Sequence, residues 1–185
     1  MFMTGIRKKH TERKVIEMDF RLAVIQDLPQ LKNMYIQIIE EMNRNQIPIW
    51  DDIYPCAFFE KDILKNQLYL MLDNAEIVSA YVLCNSNTGE NAVAWENPSS
   101  RALYLDRLGV NPGYLRKGMG SLTLAKAKET AKTLGAGYLR LFVVDINTPA
   151  IQLYTKNGFV RANGIYNEVI DADCILHEFG YETKL

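Results

Sequence analysis

Strand-like and helix-like segments alternate along this chain, which makes it an α/β protein of α+β type. Three observations carry that reading. Apolar strand-like runs at 19–24, 68–72, 77–84, 102–110 and 138–144 are interleaved with segments of helical period at 27–42, 118–134 and 149–156. The 185 residues are 48% hydrophobic and 23% charged, enough apolar mass for one full core. No repeat, linker or low-complexity stretch divides the chain after Met18, so residues 18–185 are expected to form a single domain.

The elements follow in order. Residues 1–17 carry Arg7, Lys8, Lys9, Arg13 and Lys14 with little apolar content, and read as a basic extension, flexible or a leader. No apolar stretch follows that basic start, as a secretory signal would require. Phe20, Leu22 and Val24 alternate with Arg21 and Ala23 as a short strand. Asp27 is placed to cap a helix with Pro29 in its first turn, and Leu31, Met34, Tyr35, Ile38, Ile39 and Met42 form its inward stripe. Residues 43–55 read as an irregular loop, and 57–65 as a short helix. Two strands turn at 73–75, and the Asn-, Ser-, Gly- and Pro-containing stretch 85–100 reads as a loop. The run 102–110 is apolar on both faces and therefore central, and Gly109 within it marks a bulge or a close backbone approach. Gly135 and Gly137 end the next helix. Asn147 or Thr148 caps the last one, with Pro149 in its first turn. Closing strands are expected at 159–163 and 174–180.

Bulk properties exclude several function classes. A formal net charge of -1 gives no global basic field, so nucleic acid is not an expected partner except through the arm at 1–17. Cys56, Cys84 and Cys174 lack CxxC spacing, which argues against a disulfide scaffold or a metal site and for a reducing cytoplasm. No apolar run approaches the roughly 18 residues of a membrane span.

Residues 105–120, LDRLGVNPGYLRKGMG, carry the chemistry. A strand runs into Asn-Pro-Gly, a basic turn with Arg116 and Lys117 follows, and Gly118 and Gly120 open a helix. Unpaired amides and the dipole at a helix start attract phosphate, glycines let it approach, and the two cations add charge. The stretch is neither a P-loop, which needs GxxxxGK[ST], nor the dinucleotide fingerprint GxGxxG, because position 123 is threonine. Many helices also begin after glycine with no ligand.

A second signature follows: Asn147-x-x-Ala150-x-x-Leu153-Tyr154-x-x-x-Gly158-Phe159. With Leu108-Gly109-Val110-x-Pro112 and Gly118-x-Gly120, this resembles the GNAT superfamily of acetyl-CoA-dependent N-acetyltransferases, most strongly over 102–160. The resemblance implies a mixed, largely antiparallel twisted sheet flanked by helices, with acetyl-CoA as co-substrate. It places the pantetheine arm against Leu108, Gly109 and Val110, with the Val110 N–H near the thioester carbonyl. It places the pyrophosphate among the amides of Leu115, Arg116, Lys117, Gly118, Met119, Gly120 and Ser121. Asn147 would hydrogen-bond the cofactor, and Tyr154 would protonate the departing thiolate. The family's Gln/Arg-x-x-Gly-x-Gly/Ala pattern is broken at Leu115, with the cation one residue on at Arg116.

The implied reaction is acyl transfer to an amine. Alkyl ammonium groups have pKa values of about 10, so a proton acceptor is needed. Asp106, in phase with Leu108 and Val110, is the candidate base, with a salt bridge to Arg107 or Arg140 as its competing role. Trp50, Asp51, Asp52 and Tyr54 in one loop, and Trp95 and Glu96 in another, are candidate walls for a cationic acceptor or plain surface features. His177 is read as structural, and Cys84 is a poor nucleophile in its apolar strand. The expected partners are acetyl-CoA and an amine of a small molecule or peptide, with no membrane. A protein N-acetyltransferase, a non-catalytic acyl-CoA sensor and a homodimer stay open.

Overall fold

The structure, a computed structural model, describes residues 18–172 and 174–185, so the expected extension at 1–17 lies outside the described residues. The chain runs β1 (Met18–Leu22), α1 (Leu28–Arg44), α2 (Phe59–Leu64), β2 (Leu68–Asp73), β3 (Glu76–Cys84), β4 (Val93–Ala94) and β5 (Ala102–Val110). It continues with α3 (Met119–Thr133), β6 (Tyr138–Val144), α4 (Thr148–Lys156), β7 (Val160–Arg161), β8 (Asn163–Gly164), β9 (Tyr166–Val169) and β10 (Ile175–Lys184).

The main sheet has the order β1-β2-β3-β5-β6-β10-β7, with β9 also paired to β10. Among the described residues, only β5 and β6 run parallel; the other pairs are antiparallel, as expected from the resemblance. Leu31, Tyr35, Phe59, Leu70 and Val82 build the core between the sheet and the α1/α2 layer. Leu83, Leu105, Leu124, Leu141 and Tyr154 build the core on the opposite, α3/α4 face. The α1 stripe is as read, with Leu31, Met34, Tyr35, Ile38 and Ile39 buried.

Local differences have local causes. Pro29 does sit in the first turn of α1, but the Asp27 carboxylate makes no capping bond to that helix. It turns back to Arg21, with both oxygens at 2.7 and 2.8 Å from the guanidinium, and accepts the Val24 amide at 2.8 Å. A charge-assisted bidentate pair outcompetes a single cap bond. The loop 85–100 contains β4, which pairs with β8. The closing strands are more numerous than expected, because 159–163 divides into β7 and β8, and β9 was not foreseen. β9 is four residues long, YNEV, and neither of its faces is apolar at both positions, so it has little period-2 apolar signal.

Two sheet details position the site. β5 and β6 pair from Ala102↔Tyr138 to Leu105↔Leu141 and no further, so the β6-facing edge of β5 is open from Asp106 onward. Opposite β3 the register shifts: Ala80 faces Gly109 while Val82 faces Asp106. Three steps on β5 thus match two on β3, a bulge, and Arg107 in it has φ 49°.

Candidate active site

The bulge aims the backbone. The Asn111 amide donates to the Val78 carbonyl at 2.9 Å, which makes those two a hydrogen-bonded pair. Antiparallel ladders alternate, so Gly109 points its N–H and C=O at β3 while Leu108 and Val110 point theirs away, into the gap that β6 leaves. Two residues from other elements hold the bulge. The fully buried Tyr35 of α1 donates its hydroxyl to the Arg107 carbonyl. Asp62 of α2 accepts two guanidinium bonds from Arg107, at 3.0 and 3.1 Å, with the two side chains 9% and 7% exposed. Gly109 is required by this packing: a Cβ there would meet the Tyr35 ring at 2.8 Å and Ile38 at 2.9 Å. The close approach anticipated at Gly109 is made by α1.

The start of α3 is open. Gly118 caps it in the left-handed conformation, φ 82°, and a Cβ there would meet nothing within 4 Å. Among the described residues, the amides from Arg116 to Ser121 donate no backbone hydrogen bond of normal geometry. Arg116 is exposed with φ 59°, while Lys117 is tethered to the Gly113 carbonyl at 2.8 Å and lies over the Tyr114 ring. Gly120 has a different reason from the one expected of it: its missing side chain admits Leu153 of α4, 3.0 Å from where a Cβ would stand. Leu115 is exposed, Met119 is half-buried, and the Ser121 hydroxyl accepts from Asn157 at 3.0 Å. A run of unpaired amides at an uncovered, dipole-positive helix start fits a diphosphate.

α4 brings the other two predicted residues. Asn147 caps it, its side-chain oxygen accepting the Ala150 amide at 3.3 Å, while the side-chain NH2 has no partner among the described residues. Tyr154 is 8% exposed and packs edge-on against Phe159 at 5.8 Å, and its hydroxyl has no hydrogen-bond partner among the described residues. Burial first, and then the charge of Asp106, hold its phenol well above the usual range, so it stays a proton donor.

Asp106 stands on the α1/α2 face, opposite Val82. One oxygen accepts Tyr54 Oη at 3.2 Å and the Arg107 amide at 2.7 Å, and the other accepts Arg107 Nη1 at 2.9 Å. The competing role read for it, an ion pair with Arg107, is the one the fold provides. Trp50 and Tyr54 join the aromatic cluster of Tyr35 and Phe58 above this face. Asp51 closes its own turn onto the amides of Ile53 and Tyr54, at 2.8 and 2.7 Å. Together with Asp52 it lines a groove along the outer side of α1. Trp95 and Glu96 are not brought to the opening. Trp95 is 8% exposed, stacked under Arg140 and against Tyr104 and Phe142. The exposed Glu96 accepts from Tyr138 at 3.0 Å, at the end of β6 where its pairing with β5 begins. Burial pushes the Cys84 thiol up to about 11, which keeps it protonated, and His177 is exposed and paired with Asn167.

Two acidic residues escaped the sequence reading. Glu178 faces Val144 on β6 and Tyr166 on β9, and Glu168 faces Leu176 on β10. The residues in these pairs share a face, the one that also carries Phe142 and Asp106. Burial first, then Glu168 and Asp106, push Glu178 up to about 8, and Glu168 is raised by burial and by Asp106. The alternation Tyr166-x-Glu168 and Leu176-x-Glu178 was the available signal.

Comparisons with known proteins point to one family. The family model for the acetyltransferase (GNAT) family matches residues 35–159. A streptothricin acetyltransferase of Streptomyces lavendulae is 37% identical over 60 residues, 32% of this chain and 32% of that protein. A thialysine N-epsilon-acetyltransferase of Bos taurus is 40% identical over 58 residues, 31% of this chain and 34% of that protein. The chain thus aligns with about a third of the length of these curated relatives. A GNAT-family acetyltransferase structure from Streptococcus agalactiae superposes with a TM-score of 0.76 at 14% identity, covering 91% of this chain and 95% of that one. The yncA protein of Salmonella typhimurium, solved with its cofactor acetyl-CoA, superposes with a TM-score of 0.61 at 17% identity, covering 91% and 94%. No helix among the described residues is long and apolar enough to cross a membrane.

Proposed function

The chain belongs to the acetyltransferase (GNAT) family, and from that premise we propose that it transfers an acetyl group from acetyl-CoA to a primary amine by direct attack. One observation carries the reading. The edge of β5 from Leu108 to Val110, freed by the bulge, opens beside the unpaired amides at the start of α3, with the Tyr154 hydroxyl unpartnered nearby in the α3/α4 layer.

Acetyl-CoA supplies an acyl group already activated as a thioester. The amides of residues 116–121 hold its pyrophosphate, that of Leu115 being already donated to the Pro112 carbonyl, and the Leu108 and Val110 backbone runs along its pantetheine arm. The Val110 N–H donates to the carbonyl oxygen as negative charge develops there, which lowers the barrier because the donor is already oriented. Asn147 contributes its free side-chain NH2 to the same arm. Tyr154 supplies a proton to the leaving sulfur, and its raised phenol pKa ensures that the proton is present. Holding both reactants across one opening supplies much of the acceleration by proximity. The acceptor enters from the α1/α2 face, beneath Tyr54.

The test is a thiol-release screen with acetyl-CoA against polyamines, amino acids, amino sugars and peptides, with calorimetric titration of acetyl-CoA alongside. Binding with amine-dependent thiol release is expected. Absence of acetyl-CoA binding would end this reading, and binding without release for any amine would leave a sensor in place of an enzyme.

A further inference from the structure

The turn from Asn111 to Gly118, which leads into the open start of α3, does not hold its own shape. Arg116 and Gly118 are both left-handed, at φ 59° and 82°. That backbone costs an arginine energy and persists where neighbouring structure fixes it. The amides from Arg116 onward spend no backbone hydrogen bond on the turn, and Leu115 has no side-chain donor or acceptor to lend it.

Among the described residues, the side-chain hydrogen bonds that join this turn to the rest of the chain all lead to one place, the hairpin of β2 and β3. Glu76, the first residue of β3, holds two points of the turn. Its Oε2 accepts the Tyr114 hydroxyl at 2.8 Å, and its Oε1 accepts the Asn111 side-chain NH2 at 3.4 Å. That NH2 also donates to the Ile77 carbonyl at 3.0 Å, while Asn111 Oδ1 accepts the Gly113 amide at 2.9 Å. Asp73 Oδ2, at the end of β2, lies 3.2 Å from the Tyr114 oxygen. A hydroxyl has one proton, so the shorter contact, to Glu76, is the bond, and a carboxylate acceptor strengthens it. The Tyr114 ring in turn seats Lys117, whose ammonium lies 5.1 Å from the ring centroid and donates to the Gly113 carbonyl at 2.8 Å. The hairpin is itself tied to α1, through the Gln30 side chain and the Ala75 carbonyl at 3.0 Å.

We propose that Glu76 and Tyr114 are positioning residues for the diphosphate of acetyl-CoA, holding the turn from behind in the shape that leaves the amides of residues 116–121 unpaired. The proposal rests on the acetyltransferase reading above. The two side chains act through the backbone between them and the ligand. A preformed cradle loses little conformational freedom when it binds, whereas a loosened one must be ordered by the ligand, and affinity falls by that cost. The loss is confined to the part of the ligand that the turn holds. The pantetheine arm lies along β5, so a thioester without the diphosphate does not sense it.

The experiment titrates acetyl-CoA and S-acetylpantetheine, which lacks the diphosphate and the nucleotide, against the full chain by ligand-observed NMR. The wild-type protein is compared with Tyr114→Phe, Glu76→Ala and the two combined. Tyr114→Phe keeps the ring beside Lys117 and removes only the hydroxyl. Each single variant should weaken acetyl-CoA about tenfold, the lower end of what a hydrogen bond to a charged group contributes, and S-acetylpantetheine less than about twofold. The combined variant should lie within about twofold of the single ones, because all three remove the same bond. Glu76 is exposed and Tyr114 half-exposed, so Tm should move by no more than about 2 °C. Unchanged acetyl-CoA affinity in either single variant would overturn the proposal, as would equal weakening of the two ligands or losses that multiply in the combined variant. Failure of the wild-type protein to bind acetyl-CoA would instead end the acetyltransferase reading.

Discussion

The hydroxyl of Tyr35, on α1, donates to the carbonyl of Arg107, 72 residues away on β5. This bond ties the first long helix to the bulge that turns Leu108 and Val110 toward the opening. Tyr35→Phe removes the donor and leaves a buried carbonyl short of a partner, at a cost of about 1–3 kcal/mol. The expected result is a lower Tm together with about tenfold weaker acetyl-CoA binding by calorimetry. An unchanged affinity would show that the bulge holds its shape without α1.

Arg107 depends on Asp62 for charge balance in a pair that water hardly reaches. Asp62→Asn keeps the shape and removes the charge, leaving the guanidinium with only Asp106. Breaking one partner of such a pair costs about 3–5 kcal/mol. Urea unfolding should show a loss at the lower end of that range, because Asp106 stays in place. A loss below about 1 kcal/mol would mean that the pair contributes little.

Gly118 separates charge from shape at the start of α3. Asparagine and aspartate both tolerate the left-handed backbone this position requires, and a Cβ here has open space. Gly118→Asn should weaken acetyl-CoA binding only a few-fold, whereas Gly118→Asp should weaken it about a hundredfold by facing a phosphate with a carboxylate. Equal affinities for the two variants would place the pyrophosphate elsewhere.

Tyr154→Phe tests proton donation to sulfur. General acid groups contribute about 10²–10⁴-fold, so kcat should fall at least a hundredfold, while the Kd of acetyl-CoA changes less than about threefold. A kcat close to wild type would exclude the tyrosine as the acid.

Glu178 makes stability depend on pH. Burial, then Glu168 and Asp106, raise it from 4.5 in the unfolded chain to about 8 in the fold. Between those values the folded state binds a proton that the unfolded state has released. The group's stabilising contribution is therefore complete below pH 4.5 and is lost as pH rises through about 8. Glu178→Gln abolishes the effect. Its Tm should exceed that of the wild type by about 5 °C at pH 9 and lie close to it at pH 5. An equal gap at both pH values would contradict a raised Glu178.

How much of this was legible beforehand differs by residue. The stripe from Leu31 to Ile39 was, because apolar residues at helical spacing have one inward face whatever they pack against. Asn147 was, because an Asn two residues before a Pro at a helix start is a local cap signal. The open turn at Gly118 was, because the chain there needs a left-handed residue to enter α3. Gly109 was noticed, but the neighbour it makes room for was not, since Tyr35 and Ile38 lie about 70 residues upstream. Trp95 and Glu96 share the loop character of a pocket wall, yet Arg140, Tyr104 and Tyr138 draw them to the other end of β6.

Whatever depends on a few consecutive residues could be read from the chain alone: helix faces, caps, turn glycines and the ordered motifs between Leu105 and Phe159. The bulge at Arg107, the direction of the Val110 amide and the placing of Glu168 and Glu178 on the face that carries Asp106 came only with the fold. Strand register and charge clustering are set by contacts between residues distant in the chain, such as Ala80 with Gly109 and Asp62 with Arg107. No local periodicity encodes that distance, because a one-residue slip in a strand changes every partner while leaving the pattern of residue types untouched.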